Sequence, residues 1–131
     1  MPGNVPARMP DGLRLAIRVL FAVALVLVFV LSVLKVSMGP QFRFGDKVGH
    51  ALVFFLLAAL AQASHAERRV VARLMLALLA YGLFIELVQA LLPWRDFSLW
   101  DWGADGVGIA LCVALAYWLR RRFDASPRAA P

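Results

Sequence analysis

The sequence predicts an all-α, polytopic membrane protein: a bundle of four transmembrane helices with both termini on the cytoplasmic side. Three observations carry that expectation. Of 131 residues, 63% are hydrophobic and the mean hydropathy is +0.78, where soluble domains hold about 45–50% apolar residues. Four apolar runs are long enough to cross a bilayer, which takes ~20 residues as helix. The basic residues gather in short clusters between those runs, alternating in weight from one connection to the next.

The first span is expected at about 15–37, built on Val19 to Leu34. Arg8, Arg14 and Arg18 precede it like the basic region of a signal peptide. Its apolar core is long for one, however, and no A-x-A-like cleavage site follows, so it reads as a retained span. The second is expected at 47–64 on the run Val48 to Ala63, which is short and needs Lys47 at the interface. The third is expected at 70–92 and ends at Pro93; the fourth is expected at 102–120. Gly39-Pro40, Ser64-His65 and Pro93 punctuate the connections, as turn formers do. Residues 1–12 and 124–131, rich in Pro, Ala, Gly and Arg, read as disordered tails around a membrane domain at 13–123.

Orientation follows from lysine and arginine. One side collects Arg8, Arg14, Arg18, Arg68, Arg69, Arg73, Arg120, Arg121, Arg122 and Arg128; the other has Lys35, Arg43, Lys47 and Arg95. Ten against four places both termini in the cytoplasm. The net charge of +6 therefore reports topology. With no continuous basic face and no interleaved aromatic platform, nucleic acid is not an expected partner. The single cysteine, Cys112, lies in an apolar run and forms no intrachain disulfide. His65, in a connection with Glu67 and Arg68, reads as solvated surface.

This topology sorts the remaining polar residues into one layer at the outer face. Asp46, Lys47 and His50 head the second span, and Glu86 and Gln89 lie in the outer part of the third. Glu86 is six residues short of Leu92, ~9 Å along a helix axis. Arg95, Asp96 and Ser98 fill the loop, and Asp101 and Asp105 open the fourth span. Asp46 and His50, and Asp101 and Asp105, are four apart, and Glu86 and Gln89 three apart, so each pair shares a helix face. Gly45 and Gly49, and Gly108, Cys112 and Ala116, have the spacing that lets membrane helices approach closely. Gly82 and Gly108 extend the same stripes. A shallow polar pocket between spans two, three and four is the expectation.

Some of these residues have structural explanations. Asp46 and Asp101 stand where N-caps of spans two and four would stand, and "SLWD" resembles a capping box. Trp94, Trp100 and Trp102 suit an interfacial aromatic belt. His50 reads equally as a satisfied intramembrane histidine or as a proton carrier or ligand. Glu86 is explained by neither capping nor solvation. Unpaired charge at the bilayer centre costs ~2.5–3.5 kcal/mol on insertion scales, so Glu86 is expected to be paired or protonated. Arg95 is the first candidate partner and Lys47 the second.

The stretches "DKVGHALVFFLLAAL" (46–60) and "YGLFIELVQALLPWRDFSLWDWGADGVG" (81–108) together resemble the VanZ-like family of small multi-pass bacterial membrane proteins. The resemblance covers roughly residues 42–112. The family pattern is Asp-Lys-x-x-His, Gly-x-x-x-Glu-x-x-Gln, Pro-x-Arg-x-x-Ser and Asp-x-x-x-Asn-x-x-Gly. It falls here on Asp46, Lys47 and His50, on Gly82, Glu86 and Gln89, on Pro93, Arg95 and Ser98, and on Asp101 and Gly108. The family's Asn is Asp105 in this chain, which removes an amide donor. The family's founding member is associated with low-level teicoplanin resistance. The resemblance thus implies a site in the bacterial cytoplasmic membrane and a phenotype, with no agreed reaction.

Two functional expectations follow. In the first, Asp46, Lys47, His50, Glu86, Gln89, Arg95, Ser98, Asp101 and Asp105 line a pocket that binds a membrane lipid, a lipid-linked cell-envelope precursor or a glycolipopeptide antibiotic. In the alternative, the chain is an enzyme in which His50 and Glu86 are acid and base and Arg95 and Lys47 hold an anion. No catalytic residue is assigned, because no nucleophile motif is present and Ser98 lacks an evident base. No cofactor is expected. A metal on His50, Glu86, Asp101 and Asp105 is disfavoured by the adjacent cations.

Overall fold

The computed structural model describes residues 9–35 and 43–124, and these form four α-helices: α1 (Asp11–Val33), α2 (Arg43–Ser64), α3 (Arg68–Gln89) and α4 (Leu99–Asp124). All four are long and apolar enough to cross a membrane. Most of the expected tails, 1–8 and 125–131, falls outside the described residues. Asp11 and Gly12, placed in the first tail by the sequence reading, are helical. Asp11 sits in the first turn after Pro10, where a carboxylate complements the helix dipole.

Helix ends differ from the expected spans for local reasons. α3 stops at Gln89, short of Leu92, because the chain tightens: Leu91 N–H donates to the Val88 carbonyl at 3.1 Å and Leu92 N–H to the Gln89 carbonyl at 3.0 Å. Such i→i+3 bonds close a helix, and Pro93 has no N–H with which to continue it. α4 begins at Leu99, three residues before the expected start. The Ser98 carbonyl accepts from Asp101 N–H at 3.1 Å and its hydroxyl accepts from the same N–H at 3.3 Å. Ser98 is therefore the N-cap and Asp101 lies inside the first turn. α2 likewise begins before Asp46, which is a first-turn residue. Neither aspartate is the cap that spacing suggested.

α2 and α3 form the centre, with α1 on one side and α4 on the other; among the described residues the backbones of α1 and α4 do not approach each other. α2 and α4 run parallel and α1 and α3 run opposite to them, as successive membrane crossings require. Phe54, Leu57, Ala58 and Ala61 of α2 meet Met75, Leu78 and Ile85 of α3 and Ile109 and Cys112 of α4. α1 buries no residue fully but lays Phe21, Ala24, Leu25, Val28 and Phe29, at helical spacing, against that core. Tyr81 and Gln89 of α3 tie it down through the Leu25 and Ser32 carbonyls, at 2.6 and 2.9 Å. Leu76, Phe84, Leu87 and Leu111 point outward, more than half exposed. Large apolar side chains outside and small ones at helix contacts form the pattern of a bundle in lipid.

The α2–α4 contact is the tightest and has a specific cause. A Cβ at Gly108 would overlap the Ala51 carbonyl oxygen and stand 2.9 Å from its carbon and 3.0 Å from the Phe55 nitrogen. Only glycine permits that backbone approach, and Cys112, one turn further, is buried in the same seam. The other small-residue pair, Gly45 and Gly49, is exposed, and a Cβ on Gly49 would meet nothing within 4 Å.

Replacing Gly108 by alanine forces backbone away from backbone and should cost about 2 kcal/mol or more. Gly103→Ala meets nothing within 4 Å and should gain helix propensity. Equilibrium unfolding of both variants in mixed micelles checks the contrast; equal stabilities would refute the close approach.

Candidate functional site

The end of the bundle that holds the starts of α2 and α4 gathers most of the expected site. On α2, Lys47 and His50 are three apart; on α4, Asp101 and Asp105 are four apart. Because the two helices are parallel and held close by Gly108, those residues face each other as two rungs. Lys47 Nζ is 2.6 Å from Asp101 Oδ1, and His50 Nδ1 is 2.9 Å from Asp105 Oδ1. Exposure rises along each helix toward the rim: from Asp105 at 1% to Asp101 at 14% on α4, and to Lys47 at 41% on α2. Asp105 is sealed, its partner His50 is 21% exposed, and Lys47 opens on the surface. An ionised Asp105 accepts the His50 Nδ1–H, which leaves Nε2 as the acceptor of the ring.

Asp105 is seated by a second glycine. A Cβ on Gly82 of α3 would lie 2.6 Å from Asp105 Oδ2 and 3.2 Å from the Phe54 ring. A bare backbone there lets a carboxylate fill the space between α2, α3 and α4. Asp105 thus keeps a polar group facing His50.

Glu86, one turn after Gly82, is fully buried. Its Oε2 accepts the backbone N–H of Ser98 at 2.9 Å, while its Oε1 has no hydrogen-bond partner among the described residues. In a complete capping box, the residue three after the cap reaches back to the cap's own N–H. Here Ser98 Oγ caps Asp101 N–H, but the reciprocal half comes from Glu86 on another helix. Asp101 is thereby released to hold Lys47.

Several expected residues do not fit the pocket as expected. Arg95 belongs to neither ion pair among the described residues, so Glu86 is satisfied by a backbone donor rather than by a guanidinium. Gln89 is buried, but its amide donates to α1; it fastens a helix beside the site. Asp96 is exposed. Asp46 is exposed too, yet an oxygen of its carboxylate, a His50 nitrogen and an Asp101 oxygen lie within 4.8 Å of one another. Those three could take up a cation only in competition with the Lys47 ammonium already on Asp101. His65 is half-buried, bonded to Ser64 Oγ at 2.8 Å beside the Ala61 carbonyl, so it closes the end of α2 instead of being solvated. Spacing did not reveal Trp102, whose indole donates to the Leu79 carbonyl at 2.9 Å and pins α4 to α3 beside the site.

The resulting chemistry is of mixed charge. Four carboxylates stand with one ammonium and one imidazole: Glu86 and Asp105 are buried, His50 and Asp101 partly so, and Asp46 and Lys47 open to the surface. Such an array can bind a headgroup carrying both signs of charge. It can also exchange protons through His50.

A double-mutant cycle with Lys47→Met and Asp101→Asn should show coupling of about 1 kcal/mol, since the pair is in contact and partly shielded. The cycle of Arg95→Met with Glu86→Gln should be additive to about 0.5 kcal/mol. Unfolding midpoints of the two cycles decide it; coupling in the second and none in the first would contradict this geometry. Comparison of the chain with protein-family models, with curated proteins and with solved structures finds no match.

Proposed function

We propose that this chain is a VanZ-like multi-pass protein of the bacterial cytoplasmic membrane, with both termini cytoplasmic. In this reading its polar layer binds the polar head of a lipid, a lipid-linked cell-envelope precursor or a glycolipopeptide at the outer face. The observation that carries the reading is the Lys47–Asp101 and His50–Asp105 ladder together with a buried, half-satisfied Glu86 on the neighbouring helix. Polar groups sunk into an apolar bundle are costly unless they are paired or have a task. Topology supports the placement: arginines crowd the end of the bundle opposite the ladder, as cytoplasmic ends do.

In this reading Lys47 at the rim meets a phosphate or carboxylate of the ligand. Asp46 and Asp101 beside it meet an ammonium or sugar hydroxyl. Glu86 Oε1 accepts a hydrogen bond from any donor that reaches the sealed level. A zwitterionic or amino-sugar headgroup matches the acid excess better than a simple anion does. The apolar part of the ligand lies along the outward-facing leucines and valines.

The His50–Asp105 contact favours a second reading, in which the chain is an enzyme on such a lipid. A carboxylate on one ring nitrogen orients and charges the other for proton transfer. The Ser98 hydroxyl at the start of α4 is committed to its cap, so His50 and Glu86 would act on substrate or water directly.

Titrating teicoplanin, and separately an undecaprenyl-linked precursor, into the protein in nanodiscs tests both readings. Saturable binding should weaken about tenfold or more in Lys47→Gln and Asp101→Asn, with each variant's melting point checked for folding. Loss of one partly shielded charge contact to a ligand is worth roughly that much. Unchanged binding by folded variants would overturn the binding reading. Mass analysis of the same mixtures decides the second: a new product that is lost in His50→Gln would make the chain an enzyme.

A further inference from the structure

The opposite end of the bundle holds a cavity of about 340 Å³ between α3, α4 and the end of α2. Its floor is apolar, from Val71 and Met75 of α3 and Val113 of α4, and its rim carries Arg68, Arg120 and Arg121. No carboxylate lines it. The volume lies in the range of small-ligand sites, ~300–1,000 Å³.

The arginines are placed, not merely present. Arg68 opens α3, where free backbone N–H groups and the positive end of the helix dipole add to its charge. Arg121 lies over the Tyr117 ring at 5.1 Å, a cation–π contact that holds the guanidinium at the cavity mouth. Tyr117 also lines the cavity. Arg122 turns elsewhere, over Trp118 at 5.8 Å, and does not line it. The α3–α4 seam is closed towards the other end by Trp102 on Leu79 and by Asp105 against Gly82. Beyond those contacts the two helices leave this space.

We infer that the cavity is a site for an anionic glycerophospholipid, its phosphate held by Arg68, Arg120 and Arg121 and the start of its acyl chains laid on Val71, Met75 and Val113. Charge complementarity names the occupant, since a three-arginine rim without an acid selects a phosphate. An apolar floor inside a helix bundle selects one attached to acyl chains over a free ion. Basic pockets between helices at a membrane face hold anionic headgroups by the same physics. This site is separate from the ladder, and its occupant has a single sign of charge where the ladder mixes both.

The full chain in phosphatidylcholine nanodiscs is the reference for the test. Exchanging one lipid in five for phosphatidylglycerol should raise the melting temperature and give a retained phosphatidylglycerol in native mass spectra. Inorganic phosphate at the same concentration should do neither. Each of Arg68→Gln, Arg120→Gln and Arg121→Gln should weaken retention about fivefold, as expected for one basic contact at a membrane surface. Arg122→Gln should leave retention unchanged. Ala72→Trp fills the cavity with every arginine in place and should abolish retention. Equal losses in Arg122→Gln and the other three would overturn the site in favour of diffuse surface charge, as would retention in Ala72→Trp or an equal response to phosphate.

Discussion

The bond from Ser98 N–H to Glu86 is the constraint on which the polar end of this bundle depends. It joins α3 to the first turn of α4 across the only loop between them, and places a carboxylate where a capping box would put its own third residue. Because Glu86 takes that role, Asp101 is free to face α2. Because Asp101 faces α2, Lys47 has a partner at the rim. The buried acid therefore organises residues it does not touch. Its other oxygen, Oε1, has no hydrogen-bond partner among the described residues.

Two glycines make that arrangement sterically possible. Gly108 lets α4 rest on the backbone of α2 at Ala51, which fixes the register in which Lys47 meets Asp101 and His50 meets Asp105. Gly82 leaves a Cβ-sized space that Asp105 occupies. Neither position has a positive φ, so what glycine contributes here is its lack of a side chain. For helices long and apolar enough to cross a membrane, burying apolar surface against one another in lipid would gain little, which leaves close contacts and hydrogen bonds such as these to hold a bundle together.

Much of this was legible in the sequence. Hydropathy and the terminal proline and glycine signals marked four helices, and i, i+4 spacing put Asp101 and Asp105 on one face. Partners were less legible. Arg95 looked like the counter-charge to Glu86 because charge pairs by sign, whereas the structure uses a backbone amide, which leaves no trace in residue identity. Gln89 shared a stripe with Glu86, but a three-residue step is 300° around the helix, enough to turn its amide to α1. The start of α4 was misplaced because hydropathy begins at Trp102 while the hydrogen-bonding helix begins after Ser98, a polar cap that hydropathy reads as loop. Which α2 residue faces which α4 residue needed the Gly108–Ala51 contact, a fact of three dimensions.

The central claim concerns one amide, and hydrogen exchange measures it directly. In the wild-type chain in micelles, Ser98 N–H should exchange slowly, together with the first turn of α4. Glu86→Gln retains a carbonyl acceptor and should keep most of that protection. Glu86→Ala should deprotect Ser98 and the residues up to Asp101 by about tenfold or more, as loss of one buried bond implies, while α1 and the far half of α4 remain protected. Equal protection of Ser98 in the wild type and in a folded Glu86→Ala variant would contradict the account.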